Sequence, residues 1–256
     1  ACFFGDGVYE ATPVRNFHPF MLDAHVDRFY NNMGLLRLKK PMEKAELKSL
    51  LREMCAKLDD GDQLLYWQLS RGSGPRTHAF PGDDVASSLW ITIQPKKLLD
   101  LTKKIGLITV PDTRFLHCNI KTLNLLVNVL AAQKAQEAGC YEAVFHRGDR
   151  VTECSHSNVH ILQDGVLRTA PTDQYILPGI ARANVIAACK DLGIPVDETA
   201  FTLDEMRAAD EVLVSSSTAF LLQAHSIDGQ KAGGRAEAPV AAIREWLMRQ
   251  FVEATD

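Results

Sequence analysis

The 256-residue sequence has no uninterrupted apolar run approaching the roughly 20 residues that a bilayer-crossing helix requires, so no membrane span is expected. Nor does it carry an excess of positive charge. Lys and Arg number 28 against 32 Asp and Glu, a formal net charge of −4, and the basic residues are scattered rather than blocked. That balance leaves no electrostatic footprint for nucleic acid or an anionic membrane and points to small-molecule partners. The six cysteines, Cys2, Cys55, Cys118, Cys140, Cys154 and Cys189, form no CxxC pair and no framework spacing. A metal centre is therefore not expected, and free thiols suit a reducing, cytoplasmic setting. Internal repeats and low-complexity tracts are absent. No charged-then-apolar leader opens the chain, and its start at Ala1 without an initiator methionine leaves a preceding segment open. What is present is globular: 46% hydrophobic and 23% charged residues, enough to bury a sizeable core in one large domain or two smaller ones.

Gly5, Asp6 and Gly7 mark a turn between Phe3 and Tyr9, with Tyr9 and Glu10 opening a strand. A helix follows over Asp23 to Leu38, where Leu22, Val26, Phe29, Met33 and Leu36 form an apolar stripe with His25 and Arg28 among them. Pro41 introduces a second helix, Met42 to about Leu58. Gln63 to Arg71 and Ser88 to Gln94 read as strands around the loop GSGPRTHAFPGDD. In that loop Arg76 and His78 offer a guanidinium and an imidazole to a carboxylate, or are simply solvated. The composition changes at Pro95 to Leu101, which divides a small N-terminal α/β domain, 1–94, from a linker, 95–100, and a large domain, 101–256. Within the latter, strands at Lys104 to Val110, Glu142 to His146, Asn158 to Leu162 and Val166 to Thr169 alternate with helices, and Pro239 to Glu253 closes the chain as an amphipathic helix. The fold class is α/β.

Lys121 precedes a helix in which Leu125, Leu126, Val129, Leu130 and Ala132 form the expected buried face and Gln133, Lys134, Gln136 and Glu137 the solvated one. A desolvated lysine there becomes a nucleophilic amine; a snorkelling surface lysine is the other reading. Glu153, in VTECSHSN, has no Lys or Arg among the two residues on either side, and a buried carboxylate needs a cationic partner. In ILPGIAR, Pro178 and Gly179 lead into a helix whose first amides suit a phosphate. In EVLVSSSTAF, a strand runs into Ser215, Ser216, Ser217 and Thr218, which suit either a phosphate cup or a turn.

Taken in order, FGDGVYE (Phe4 to Glu10), HVDRFY (His25 to Tyr30), IKTLNLL (Ile120 to Leu126), VTECSHSN (Val151 to Asn158) and ILPGIAR (Ile176 to Arg182) resemble the fold-type IV pyridoxal-phosphate (PLP) enzymes nearly end to end. YWQLSRGSGPRTHAFP (Tyr66 to Pro81) looks most like the D-amino-acid aminotransferase members. The resemblance implies a two-domain fold that binds pyridoxal 5'-phosphate and transfers an amino group from a D-amino acid, such as D-alanine or D-glutamate, to a 2-oxo acid. It makes Lys121 the Schiff-base lysine and Glu153 the carboxylate facing the pyridine nitrogen. Arg28, the amides of Ile180 and Ala181, and Ser216 and Ser217 are implied at the phosphate, and Leu177 against the ring. Tyr9, Arg76, His78 and Thr218 are implied on the substrate side, with the Arg76–His78 loop reaching the neighbouring subunit of a homodimer. The sequence departs from the family at Ala181, where threonine is common, at Phe220, where glutamate is common, and at Pro13 and His156, all of which bear on substrate range. The alternatives are an amine or branched-chain transaminase, an aminodeoxychorismate lyase, or a PLP-binding homologue without turnover.

Overall fold

The computed structural model describes residues 4–256, so Cys2 and Phe3, read above as a thiol and as part of the opening turn, lie outside the described residues. The chain forms two compact units. In the first, β1 (Gly7–Arg15) pairs antiparallel with β2 (His18–Pro19) and β3 (Gln63–Ser70), and β4 (Ser88–Pro95) pairs with the far edge of β3. Strand alternation sorts the two faces. Val8 and Val14 of β1 and Leu65, Trp67 and Leu69 of β3 join Val26, Phe29 and Met33 of α1 (Leu22–Leu35) and Leu47 and Leu51 of α2 (Lys44–Cys55) in one core. Glu10 and Thr12 share that inward face of β1 and are fully buried. On the other face Tyr9 stacks on Tyr66, ring centroids 5.6 Å apart. The second helix is shorter than Met42 to Leu58 because a capping box between Glu43 and Glu46 starts it.

Two later pieces of chain belong to this unit. Tyr9 N–H donates to Lys121 O at 3.0 Å and Leu123 N–H to Gly7 O at 3.1 Å, while Thr122 bridges Val8. Residues Ile120–Leu125 are thereby paired to β1. Phe251 meets Phe20 edge-on at 5.1 Å and Arg15 holds Asp256 at 2.7 Å, which brings in Phe251–Asp256. A single cut at 95–100 therefore fails as a description: the second unit is Leu99–Asn119 with Leu126–Gln250. Backbone pairing with β1 overrides sequence order.

The second unit contains β5 (Ile105–Pro111), α3 (Leu126–Glu137), β6 (Glu142–Arg147), β7 (Arg150–Cys154), β8 (Asn158–Gln163), β9 (Val166–Thr169), α4 (Ile180–Asp191), β10 (Val196–Asp197), α5 (Leu203–Ala208), β11 (Glu211–Ser215), β12 (Leu222–Ile227), β13 (Gln230–Lys231) and most of α6 (Glu237–Thr255). Its mixed sheet runs β10-β9-β8-β11-β12-β5-β6-β7, with β13 on β12. The parallel pair β5–β6 is joined through α3, as a parallel crossover requires. Helix α3 corrects the expectation from its pattern. Ala131 and Ala135 are the side chains it buries against Val110, Ala143 and Phe145, because small residues let it lie close to the strands. Leu126, Val129 and Leu130, expected inward, are 73%, 61% and 55% exposed. Among the described residues no helix is long and apolar enough to cross a membrane.

His160 of β8 is fully buried, its Nε2 2.8 Å from Ser215 Oγ, and burial pushes its imidazole down to about 3. Above its ordinary value of 6.5 the stability of the neutral ring is fully present. Between 6.5 and 3 the unfolded chain takes a proton that the folded chain refuses, so stability falls with pH. His160→Phe is expected to lose about 2 kcal/mol less than the parent between pH 7 and pH 5, at roughly 1.4 kcal/mol per proton per pH unit. Urea melts at the two pH values measure this, and equal losses contradict it.

Candidate active site

In the first unit the group is built on β1. Inward-facing Glu10 is met by two side chains one turn apart on α1. Arg28 donates from Nε to Glu10 Oε1 at 2.7 Å and from Nη2 to Oε2 at 2.8 Å, and His25 Nδ1 lies 2.7 Å from Oε2. Burial pushes the Glu10 carboxyl up, but Arg28 and His25 outweigh it and hold it down at about 2. Burial in turn lowers His25, against the pull of Glu10. Arg28 is thus oriented by a bidentate carboxylate. On the other face of β1, the half-buried Lys121 places Nζ 4.3 Å from the centroid of the Tyr9 ring. Lys121 sits in the segment paired to β1, five residues before α3 begins. Arg76 and His78 pack against Phe4, at 5.2 and 5.1 Å.

In the second unit Glu153 is the penultimate residue of β7, with 6% exposure. Its cationic partner comes from far along the chain: Arg114 Nη1 donates to Glu153 Oε1 at 2.6 Å. Arg114 is held from behind by Asp112, Nε to Oδ1 and Nη2 to Oδ2 both at 2.9 Å, and by Tyr175 O at 3.1 Å. The other oxygen, Oε2, accepts from Asn158 Nδ2 at 3.1 Å and from Leu177 N–H at 2.9 Å. Burial pushes the Glu153 carboxyl up and outweighs the opposing pull of Arg114. Asn158 also donates to Leu177 O at 3.0 Å, and β8–β11 register sets Asn158 opposite Ser215. Glu153, Leu177 and the serine turn after β11 are thereby drawn together around one asparagine. A Cβ on Gly179 would lie 2.0 Å from Asn158 Oδ1, so only glycine lets the start of α4 approach so closely.

These residues fit pyridoxal phosphate. A carboxylate has about four acceptor positions, and three on Glu153 are taken, which leaves one for a protonated ring nitrogen. Ser216 Oγ is buried and has no hydrogen-bond partner among the described residues. The amides of Ile180 and Ala181 precede the first bond of α4, Ala183 N–H to Gly179 O at 3.0 Å. Together they supply neutral donors for a phosphate.

Glu10, Asn158 and Arg114 carry much of this geometry and were not singled out from the sequence as site residues. The signal for Glu10 was available: strand alternation puts it on the inner face, opposite the i, i+3 pair His25 and Arg28. Arg114 had no local signal, since its partner Glu153 is 39 residues away.

Removing Arg114 leaves the buried Glu153 without its cationic partner, whereas Asp112 keeps Arg147, Nε to Oδ2 at 3.1 Å. Arg114→Met is expected to cost about 3–5 kcal/mol in urea unfolding. Adding Glu153→Gln should recover part of that loss, because the neutral amide needs no counter-charge. Additive losses in the double variant would show that the pair is not coupled.

A family profile described as amino-transferase class IV matches residues 7–227. A D-alanine aminotransferase of Listeria monocytogenes is 40% identical over 98% of this chain and 89% of its own length. One from Bacillus licheniformis is 39% identical over 93% of this chain and 84% of its own. Among solved structures, the branched-chain amino acid aminotransferase of Escherichia coli superposes with a TM-score of 0.90, at 22% identity, over 99% of this chain and 88% of that one. That likeness is one of fold, while the profile and the sequence relatives reach further: this chain belongs to the class IV aminotransferases.

Proposed function

We propose that the chain transfers an amino group from a D-amino acid of the D-alanine or D-glutamate type to a 2-oxo acid, with Lys121, Glu153 and Arg28 at the centre of a pyridoxal-phosphate site. The observation that carries the reading is the 40% identity, over nearly the whole chain, to a D-alanine aminotransferase. The cofactor, when bound, supplies a carbon that accepts the amine and a protonated pyridine ring that draws electron density from the substrate Cα. Lys121 is the nucleophilic amine and then the base that moves the proton at Cα. Glu153 holds the proton on the ring nitrogen, and Arg114 and Asn158 fix its carboxylate there. Arg28, oriented by Glu10, meets the phosphate with the amides of Ile180 and Ala181 and the hydroxyls of Ser216 and Ser217. Leu177 packs against the ring. Ala181 contributes its amide without the hydroxyl a threonine would add.

Tyr9, Arg76, His78 and Thr218 hold the substrate α-carboxylate. A fixed carboxylate determines which substituent on Cα faces Lys121, and hence the hand of the substrate. Arg76 and His78 serve the site of a second copy in a homodimer. Two features support that assembly: their loop is exposed, and α3 presents Leu126, Val129 and Leu130 to solvent as an apolar patch.

Borohydride treatment of the holoenzyme followed by peptide mass spectrometry is expected to place the pyridoxyl mass on Lys121, and Lys121→Ala to abolish both the adduct and transamination. The mass on another lysine would contradict the assignment. Arg76→Ala is expected to raise KM for D-alanine about tenfold, the scale of one charge-assisted carboxylate contact, while sparing amines that lack a carboxylate. Unchanged D-alanine kinetics would remove Arg76 from the carboxylate site.

A further inference from the structure

The loop over residues 72–81 carries Arg76 and His78 and is largely exposed, yet it is gripped by residues outside it. The grip comes from the end of α1. Arg37 N–H donates to Gly34 O at 3.0 Å and Leu38 N–H to Met33 O at 2.9 Å, the pairing of a helix terminus whose left-handed residue is ordinarily glycine. That residue here is Arg37, at φ 52. A side chain bearing a Cβ takes this conformation at a cost that glycine avoids, and such strain persists only where neighbouring contacts hold it.

The contact in question is Phe80. The Arg37 guanidinium carbon lies 4.8 Å from the centroid of the Phe80 ring and that of Arg71 lies 3.7 Å from it, so two cations bear on one half-exposed phenyl group. Arg71 is itself immobilised. Its Nε and Nη2 donate to Asp6 at 2.5 and 3.0 Å, while Nη2 and Nη1 reach the last carbonyls of the α1 terminus, Leu36 O at 2.8 Å and Arg37 O at 3.1 Å. Beyond the loop, Lys39 donates to Asp83 O at 2.6 Å and Val85 O at 3.1 Å. At its base Gly72, at φ 114, passes so close to Ala86 that a Cβ would stand 2.1 Å from the Ala86 carbonyl oxygen.

We propose that Arg37 and Arg71 are positioning residues for the substrate carboxylate: by gripping Phe80 they hold the loop in the conformation that presents Arg76 and His78. This rests on the carboxylate role given to those two residues above. Preordering the loop removes the entropy loss that binding would otherwise carry, so the grip acts on affinity for carboxylate-bearing substrates. It also accounts for an arginine in the glycine position, since glycine would fit the backbone better and lose the ring contact.

Arg37→Gly in the holoenzyme separates this role from a structural one. The variant relieves the backbone, so its Tm is expected to equal or exceed the parent's. Its KM for D-alanine is expected to rise roughly fivefold with kcat within about twofold, an effect on binding rather than chemistry. Trypsin should cut after Arg76 faster, and kcat/KM for a primary amine without a carboxylate should not move. Phe80→Leu should behave in the same way, whereas Phe80→Tyr, which keeps the aromatic face, should match the parent. Parental KM and parental trypsin rates in Arg37→Gly and Phe80→Leu overturn the proposal, whatever their Tm. If Arg76→Ala raises KM while these two variants do not, only the grip is lost. If Arg76→Ala also leaves KM unchanged, the carboxylate reading beneath it falls.

Discussion

Burying a carboxylate is the constraint on which this structure turns. Glu10 and Glu153 are each almost wholly removed from water, and each would be prohibitively costly without a guanidinium in fixed geometry. Glu10 lies on the inner face of β1 and fixes Arg28 and His25 on α1, so the strand and helix of the first unit are locked by charge as well as by the core around Trp67. Glu153, next to last in β7, fixes Arg114, which Asp112 grips from behind. Arginine suits both places because its planar fork meets two oxygens at once. The two carboxylates end in opposite states, Glu10 pulled down to about 2 and Glu153 pushed up. Glu10 meets its guanidinium through two donors and a histidine besides, whereas burial dominates at Glu153. A carboxylate of raised proton affinity is the one suited to share a proton with a ring nitrogen.

Much of this was legible from residue patterns. The stripe of α1 and the alternation of β1 and β3 follow from local chemistry, since each places apolar residues at one period. Family likeness drew attention to Lys121, Glu153 and the start of α4, which single residues in a sequence could not have done. What escaped was long-range. Nothing near Glu153 announces Arg114, and nothing near Phe80 announces Arg37, because these contacts exist only after distant segments have packed.

Helix α3 shows a different limit. Its periodicity separates apolar from polar residues, yet the alanines rather than the leucines lie against the strands. Hydrophobic pattern reports which residues avoid water, not which surface removes them from it. An apolar face left outside a single chain fits the homodimer proposed above, where burial is completed by a second copy. The same lesson applies to the division of the chain. Lys121 is a sequence neighbour of the second unit but joins the first, because its backbone hydrogen bonds go to β1.

The account rests on Lys121 and a fixed carboxylate together selecting one hand of substrate. A single-turnover experiment tests this most directly: the pyridoxal-phosphate form of the enzyme is mixed with D-alanine or with L-alanine, without an amino acceptor, and the visible absorbance of the cofactor is followed. Conversion by D-alanine and little or none by L-alanine is the expected result. Equal conversion by both, or preference for L-alanine, would contradict the account.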